Sequence, residues 1–168
     1  MAFIITTPAR PGIQRITDTV IAATAIEKGG ILGEIVQAYD ADYGTGEFIY
    51  LKGLAATAIG SWVTYNLDDH TTTLLAANAI APVAISMSAN LAGYYGWYQI
   101  SGKAVGLALT AFADNGNPYA TATAGSVDDA VVAGDLVKNA KGASAVNETT
   151  LLADFEIARP FMDDGLTA

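Results

Sequence analysis

Apolar and polar residues alternate with a period of two along most of this chain. Val63, Tyr65 and Leu67 alternate with Trp62, Thr64 and Asn66, and Val83, Ile85, Met87, Ala89 and Leu91 alternate with Ala84, Ser86, Ser88 and Asn90. Leu151, Ala153, Phe155 and Ile157 alternate with Leu152, Asp154, Glu156 and Ala158, up to Pro160. Period two sends successive side chains to opposite faces, so each run predicts a strand with one face buried. Ile31 to Tyr39, entered through Gly29-Gly30, and Phe48 to Leu51, closed by Gly53, predict two more strands around a loop at 40 to 46. Thr72 to Ala77 pairs with the Trp62 run as a hairpin across Asp68-Asp69-His70. Trp97 to Ser101 and Val105 to Leu109 predict two strands with a turn between them at Gly102-Lys103.

Helices are harder to place. Ser126-Val127-Asp128-Asp129 has the form of a capping box, but Gly134 limits a helix there to about two turns. The Ala-containing run Thr19 to Ile26 is the other candidate. The expectation is a mainly β fold of roughly eight to eleven short strands with at most two short helices. Residues 1 to 17 carry Pro8, Pro11 and Gly12, which predict an extended N-terminal arm ahead of a single β-rich domain at 18 to 168. One internal echo links Ala58-Ile59-Gly60-Ser61-Trp62-Val63 with Val132-Ala133-Gly134-Asp135-Leu136-Val137: an apolar pair, Gly, a small polar residue and two apolar residues. Both phrases suit a turn feeding a strand. Chance in a chain rich in Gly and Ala explains the echo as well as duplication does.

Composition narrows the function. Of 168 residues, 52% are hydrophobic and 15% charged, with one His and no Cys, so thiol chemistry, disulfides and Cys-based zinc sites are excluded. A formal charge of −9 opposes nucleic-acid binding, which depends on Lys and Arg neutralising phosphates. Arg10 and Arg15 lie in residues 1 to 17 with no acid, which reads as a slightly basic arm on an acidic body or as a chance placement. The apolar start Met1 to Ile5 is too short for a signal-peptide core. The stretch 71 to 102 holds no charged residue or histidine and is long enough to span a bilayer, but its period-two pattern and Pro82 indicate strands.

Chemistry-bearing residues are few. His70 is the sole imidazole, flanked by Asp68 and Asp69, in what reads as a solvated hairpin turn, and no Gly-x-Ser-x-Gly elbow supplies a nucleophile. The carboxylate pairs Asp40/Asp42, Asp68/Asp69, Asp128/Asp129 and Asp163/Asp164 read as loop charges. Asp40-x-Asp42-x-Gly44 departs from a calcium loop, which wants an oxygen ligand where Gly44 stands and a Glu where Leu51 stands. The reading is a non-enzymatic protein with no catalytic residue, no metal and no cofactor. Aromatic residues remain: Trp62, Tyr94, Tyr95 and Trp97 are the candidate oligomer or partner interface, with Tyr98 inside the barrel and Trp97 on the opposite face, available to a neighbour.

Four phrases carry a resemblance: Gly46-Glu47-Phe48-Ile49-Tyr50-Leu51-Lys52-Gly53, Gly60-Ser61-Trp62-Val63-Thr64-Tyr65-Asn66, Gly96-Trp97-Tyr98-Gln99-Ile100-Ser101-Gly102-Lys103-Ala104 and Ala122-Thr123-Ala124-Gly125-Ser126-Val127-Asp128-Asp129. Over about Glu47 to Phe161 the chain resembles the capsid decoration, or cement, proteins of tailed bacteriophages. The resemblance implies a small β-barrel or β-tulip-like domain on the outer surface of the virion, a homo-oligomer with a trimer favoured, and the major capsid protein as partner, with no nucleic acid or membrane. The arm residues Phe3, Ile4, Ile5, Arg10 and Arg15 are then expected to anchor the chain to the capsid or a neighbouring copy. Other readings are a different virion component, such as a head fibre base, a tail protein or a minor capsid protein, and a small carbohydrate-binding β-barrel with Trp62 and Trp97 as stacking platforms.

Overall fold

A computed structural model describes residues 1–7, 13–21 and 30–163. Among them are twelve strands and no helix: β1 (Ile4–Thr7), β2 (Thr19–Ile21), β3 (Ile35–Asp40), β4 (Gly44–Lys52), β5 (Trp62–Tyr65), β6 (Thr72–Leu74), β7 (Ile80–Ser86), β8 (Tyr94–Leu107), β9 (Tyr119–Ala120), β10 (Val127–Asp128), β11 (Lys138–Gly142) and β12 (Leu152–Asp163). The mainly β expectation holds, with one strand more than the range foreseen.

Ten strands form one antiparallel sheet in the order β1-β3-β4-β8-β12-β7-β5-β6, with β11 on β12 and β2 on β8, while β9 and β10 pair separately. The sheet curls into a half-barrel because three long strands share partners. Strand β8 pairs with β4 through Tyr95 to Ser101 and with β12 through Ser101 to Leu107, while Gln99 and Tyr98 also meet Ile85 and Ser86 of β7. Strand β12 passes from β8, ending at Ala158, to β7, beginning at Phe161.

Two punctuation residues act differently from their sequence reading. Gly102 does not turn the chain between two strands. It takes φ +98° inside the continuous β8, and a Cβ there would lie 2.6 Å from the Thr45 carbonyl oxygen, so only glycine permits the bend at this close crossing. Pro160 does not end β12. Arg159 takes φ +52° and Pro160 follows at the point where β12 leaves β8 and joins β7, a ladder interruption at which a missing N–H does little harm.

Both helix expectations fail where the residues are described. Thr19, Val20 and Ile21 are β-branched and extend along Tyr94 to Gly96, whereas Ala22 to Ile26 lie outside the described residues. Ser126 closes a turn onto the Thr123 carbonyl, and Val127 and Asp128 pair with Ala120 and Tyr119. The echoed phrases do form the same turn. Ser61 N–H donates to the Ala58 carbonyl and Asp135 N–H to that of Val132, with Gly60 and Gly134 at φ +82° and +88°.

The continuous apolar run Phe48 to Leu51 is explained by a strand buried on both faces. Phe48 and Tyr50 pack with Val36, Met87 and Trp97 on one side. Ile49 and Leu51 pack with Val63, Ala84, Tyr98 and Ile100 on the other. The rest of the core joins side chains of β5, β7, β8 and β12, where Trp62 and Phe155 meet edge to face at 4.9 Å and the Phe112 ring lies 5.2 Å from that of Phe155.

Candidate interaction surface

Strand β1 places alternate side chains on opposite faces. Phe3 turns inward and is buried against Phe48 and Tyr43, with ring centroids at 4.9 and 6.3 Å. Ile4 turns outward and is 69% exposed, directly opposite Tyr39 of β3. Opposed residues of an antiparallel pair share a face, as do residues four apart on one strand, so Ile4, Tyr39 and Ile35 form an exposed apolar strip. Strand β1 ends the strand order, and among the described residues it pairs only with β3. Its outer edge therefore presents backbone donors and acceptors beside that strip.

Residues 4–7 are extended as β1, and the described residues of the N-terminal segment lie on the chain's own body. The Asp40 carboxylate accepts the N–H groups of Ala2, Asp42 and Tyr43, and these bonds hold it below the usual carboxylate range, the Ala2 bond most strongly. Gln14 is buried, accepts the Tyr50 hydroxyl at 2.9 Å through Oε1, receives the Trp97 indole N–H at 3.1 Å on its backbone carbonyl, and donates through Nε2 to the Asp18 carbonyl. A hollow of about 560 Å³ is lined by the arm's own residues, Phe3, Ile5, Ile13 and Gln14 among them. Of the expected anchors, Ile4 points outward, Arg15 is exposed, Ile5 is half-buried, Phe3 is consumed by the chain's own core, and Arg10 lies outside the described residues.

The aromatic expectation needs correction. Trp97 and Tyr98 do lie on opposite faces of β8, but both faces are covered and neither side chain is accessible. Trp97 packs on Tyr50 at 4.9 Å beneath Gln14, and Trp62 is buried with its Nε1–H donating to the Leu107 carbonyl at 3.1 Å. In a half-barrel whose outer face is roofed by the arm, facing away from the interior does not mean facing water. Tyr94 and Tyr95 are half-buried, and Tyr95 stacks on Tyr50 at 6.2 Å. Burial pushes the Tyr50 phenol up to about 12.

The other titratable candidates are occupied by local structure. His70 stands in the β5–β6 loop at φ +58°, its ring against Gly33 and its buried Nδ1 without a partner. Asp69 accepts the Thr71 hydroxyl at 2.7 Å and the Thr71 N–H at 3.0 Å, and these bonds lower its pKa, the hydroxyl's more than the amide's. Asp129 accepts the Ala113 N–H at 2.9 Å, and Asp129 N–H donates to Asp128 at 2.9 Å. Among the described residues no three His, Asp or Glu side chains converge as a metal site. No described helix is long and apolar enough to cross a membrane.

Sequence reasoning passed over Gln14 and Asp40 as clasps of the arm, and Tyr39 and Ile35 as its exposed neighbours. The alternation of Ile35, Gln37 and Tyr39 with Val36, Ala38 and Asp40 carries the signal for that strip. No family model, curated protein or solved structure matches the chain.

Proposed function

We propose that this chain is a structural virion protein that binds the outer surface of a tailed-phage capsid and stabilises contacts between major capsid protein subunits, working as a homo-oligomer, with a trimer favoured. The observation that carries the reading is the β1 edge. A strand clasped at Asp40 presents Ile4 and Tyr39 to solvent beside an open row of backbone groups. Such an edge suits strand addition by a neighbouring chain, in which main-chain hydrogen bonds supply affinity and alternate side chains supply specificity. The phage decoration resemblance names the neighbour. This role needs no reaction, cofactor, nucleic acid or membrane. The glycan-binding alternative loses its support, because Trp62 and Trp97 are both buried and offer no stacking platform.

Purified protein mixed with expanded, DNA-free shells of the major capsid protein from the same genome tests this. Cosedimentation, with density on the outer shell in copy numbers comparable to the capsid subunits, is the expected result. Failure to cosediment at micromolar concentration, or a presence in virions of only a few copies, sinks the reading.

A further inference from the structure

The N-terminal segment meets one apolar cluster through two sets of contacts. Gln14 is bonded to Tyr50 and Trp97, and Ile16 is buried among the same side chains. Residues 1–7 make their contacts with the β3–β4 corner. There Phe3 packs on Tyr43 and Phe48, Ala2 N–H donates to Asp40, and Ile4, Ile5 and Thr7 pair with Tyr39, Ala38 and Gln37. All of these partners fall between residues 37 and 48, and β1 pairs with no other strand among the described residues. The two sets are linked through Pro8-Ala9-Arg10-Pro11-Gly12, outside the described residues. Two prolines in five residues oppose helix and favour extended chain, and five extended residues span about 17 Å. Residues 1–7 are thus a unit with its own docking corner, and the same corner stands on every other copy of the chain. A segment that crosses to a neighbour's corner makes the same contacts there, which is why exchange is a low-cost route to an oligomer.

Charge separates favourable from unfavourable contacts between copies. Residues 1 to 17 hold Arg10 and Arg15 and no acid, and the other six of the eight Lys and Arg stand among seventeen Asp and Glu, so residues 18 to 168 carry a formal −11. Body against body therefore sets like charges together, whereas a basic arm against an acidic corner sets opposite charges together. The corner carries Asp40 and Asp42, and Asp40 is held below its ordinary value chiefly by the Ala2 N–H, with a small contribution from the charge of the α-amino group. We infer that residues 1–7 are exchanged between copies, so that β1 of each chain covers the β3–β4 corner of the next and supplies Phe3 to its core. The inference rests on the homo-oligomer proposed above and names what holds it together. Passed from copy to copy, the exchange closes a ring, as a trimer requires. The outer edge of β1 is then left for the capsid.

Ile4 and Tyr39 are directly opposite and exposed, and the chain has no cysteine. A full-length Ile4→Cys/Tyr39→Cys variant therefore reports by disulfide whose β1 lies on whose β3. It is refolded from urea and oxidised with oxidised glutathione, free and on the expanded capsid shells, then read on a denaturing, non-reducing gel and by mass spectrometry of the linked peptides. Chains linked to one another are the expected result, in covalent species no larger than the oligomer that sedimentation velocity gives for the wild type. The two single variants refolded together should give a dimer linked through positions 4 and 39. Deleting residues 1–7 should weaken self-association at least tenfold while the β circular dichroism spectrum is kept. A disulfide formed wholly within each chain, no disulfide at all, or self-association unchanged by the deletion overturns the exchange. Wild-type cosedimentation with shells then still upholds the capsid-binding reading. Chains linked through positions 4 and 39 that do not bind shells uphold the exchange and sink the capsid reading instead.

Discussion

The two faces of β8 are covered by different means. Tyr98 and Ile100 are enclosed by the curl of the sheet itself, with Val63 of β5 and Ala84 of β7 folded across them. Trp97, on the other face, is roofed by the N-terminal segment, through Gln14 and Ile16, with Phe3 further along. The first cover is held by strands paired on either side. The second is held by one terminal strand, a buried glutamine and a carboxylate. Burial alone does not distinguish them, since both faces are equally dry. What differs is how much of the molecule must move to open each.

The strongest way to break this contrast is to damage the enclosed side. Phe155→Ala removes a ring that meets both Trp62 and Phe112, and a loss of about 3–5 kcal/mol is expected from urea unfolding, in a single transition. A loss under 1 kcal/mol would show that the half-barrel core is not the dominant unit.

Deleting residues 1 to 7 tests the roof. Burial of Phe3 contributes about 1.5–3 kcal/mol, but ordering each terminal residue opposes folding by about 1–2 kcal/mol, offset by the β1 ladder and the Asp40 bonds. The expected net loss is about 1 kcal/mol, with the β circular dichroism spectrum retained. A truncation as damaging as Phe155→Ala would make the arm an integral part of the core.

The smallest effect is a pH dependence confined to the roof. Asp40 is held below its ordinary value, so its contribution is complete at neutral pH, above the unfolded-state value, and is lost as pH falls through the lowered folded-state value. Tyr50 is raised to about 12, so stability there is complete below 10 and is lost as pH rises through about 12. Hydrogen exchange at Ala2 and in β1 should quicken at the acid end before the barrel strands respond, and Asp40→Asn should remove the acid-side dependence. Equal exchange of β1 and β12 at every pH would erase the distinction between the two covers.

Strand identity was legible where one face is wet. The β12 alternation of Ala153, Phe155 and Ile157 with charged partners could be read directly, and so could the β5–β6 hairpin, whose turn residues cannot continue a strand. The candidate surface was legible only in part. Ile4 was singled out because it is apolar and terminal, while Ile35 and Tyr39 were passed over although their alternation with Val36, Ala38 and Asp40 marks them. The Ser126-Val127-Asp128-Asp129 capping box starts no helix because Val127 pairs with Ala120 and is buried in the core cluster with Trp62 and Phe155, contacts from parts of the chain that no local window contains.

From its own residues the chain determined that it would be a sheet: period-two alternation, β-branched and aromatic runs, and glycine at the turns leave few alternatives. It also determined its acidic balance and the scarcity of groups for chemistry. The tertiary structure alone decided which faces stay dry, because alternation separates the two sides of a strand without stating which meets water. Trp97 is inside because a segment eighty-three residues earlier folds over it, and Val131 is outside because none of the described residues covers it.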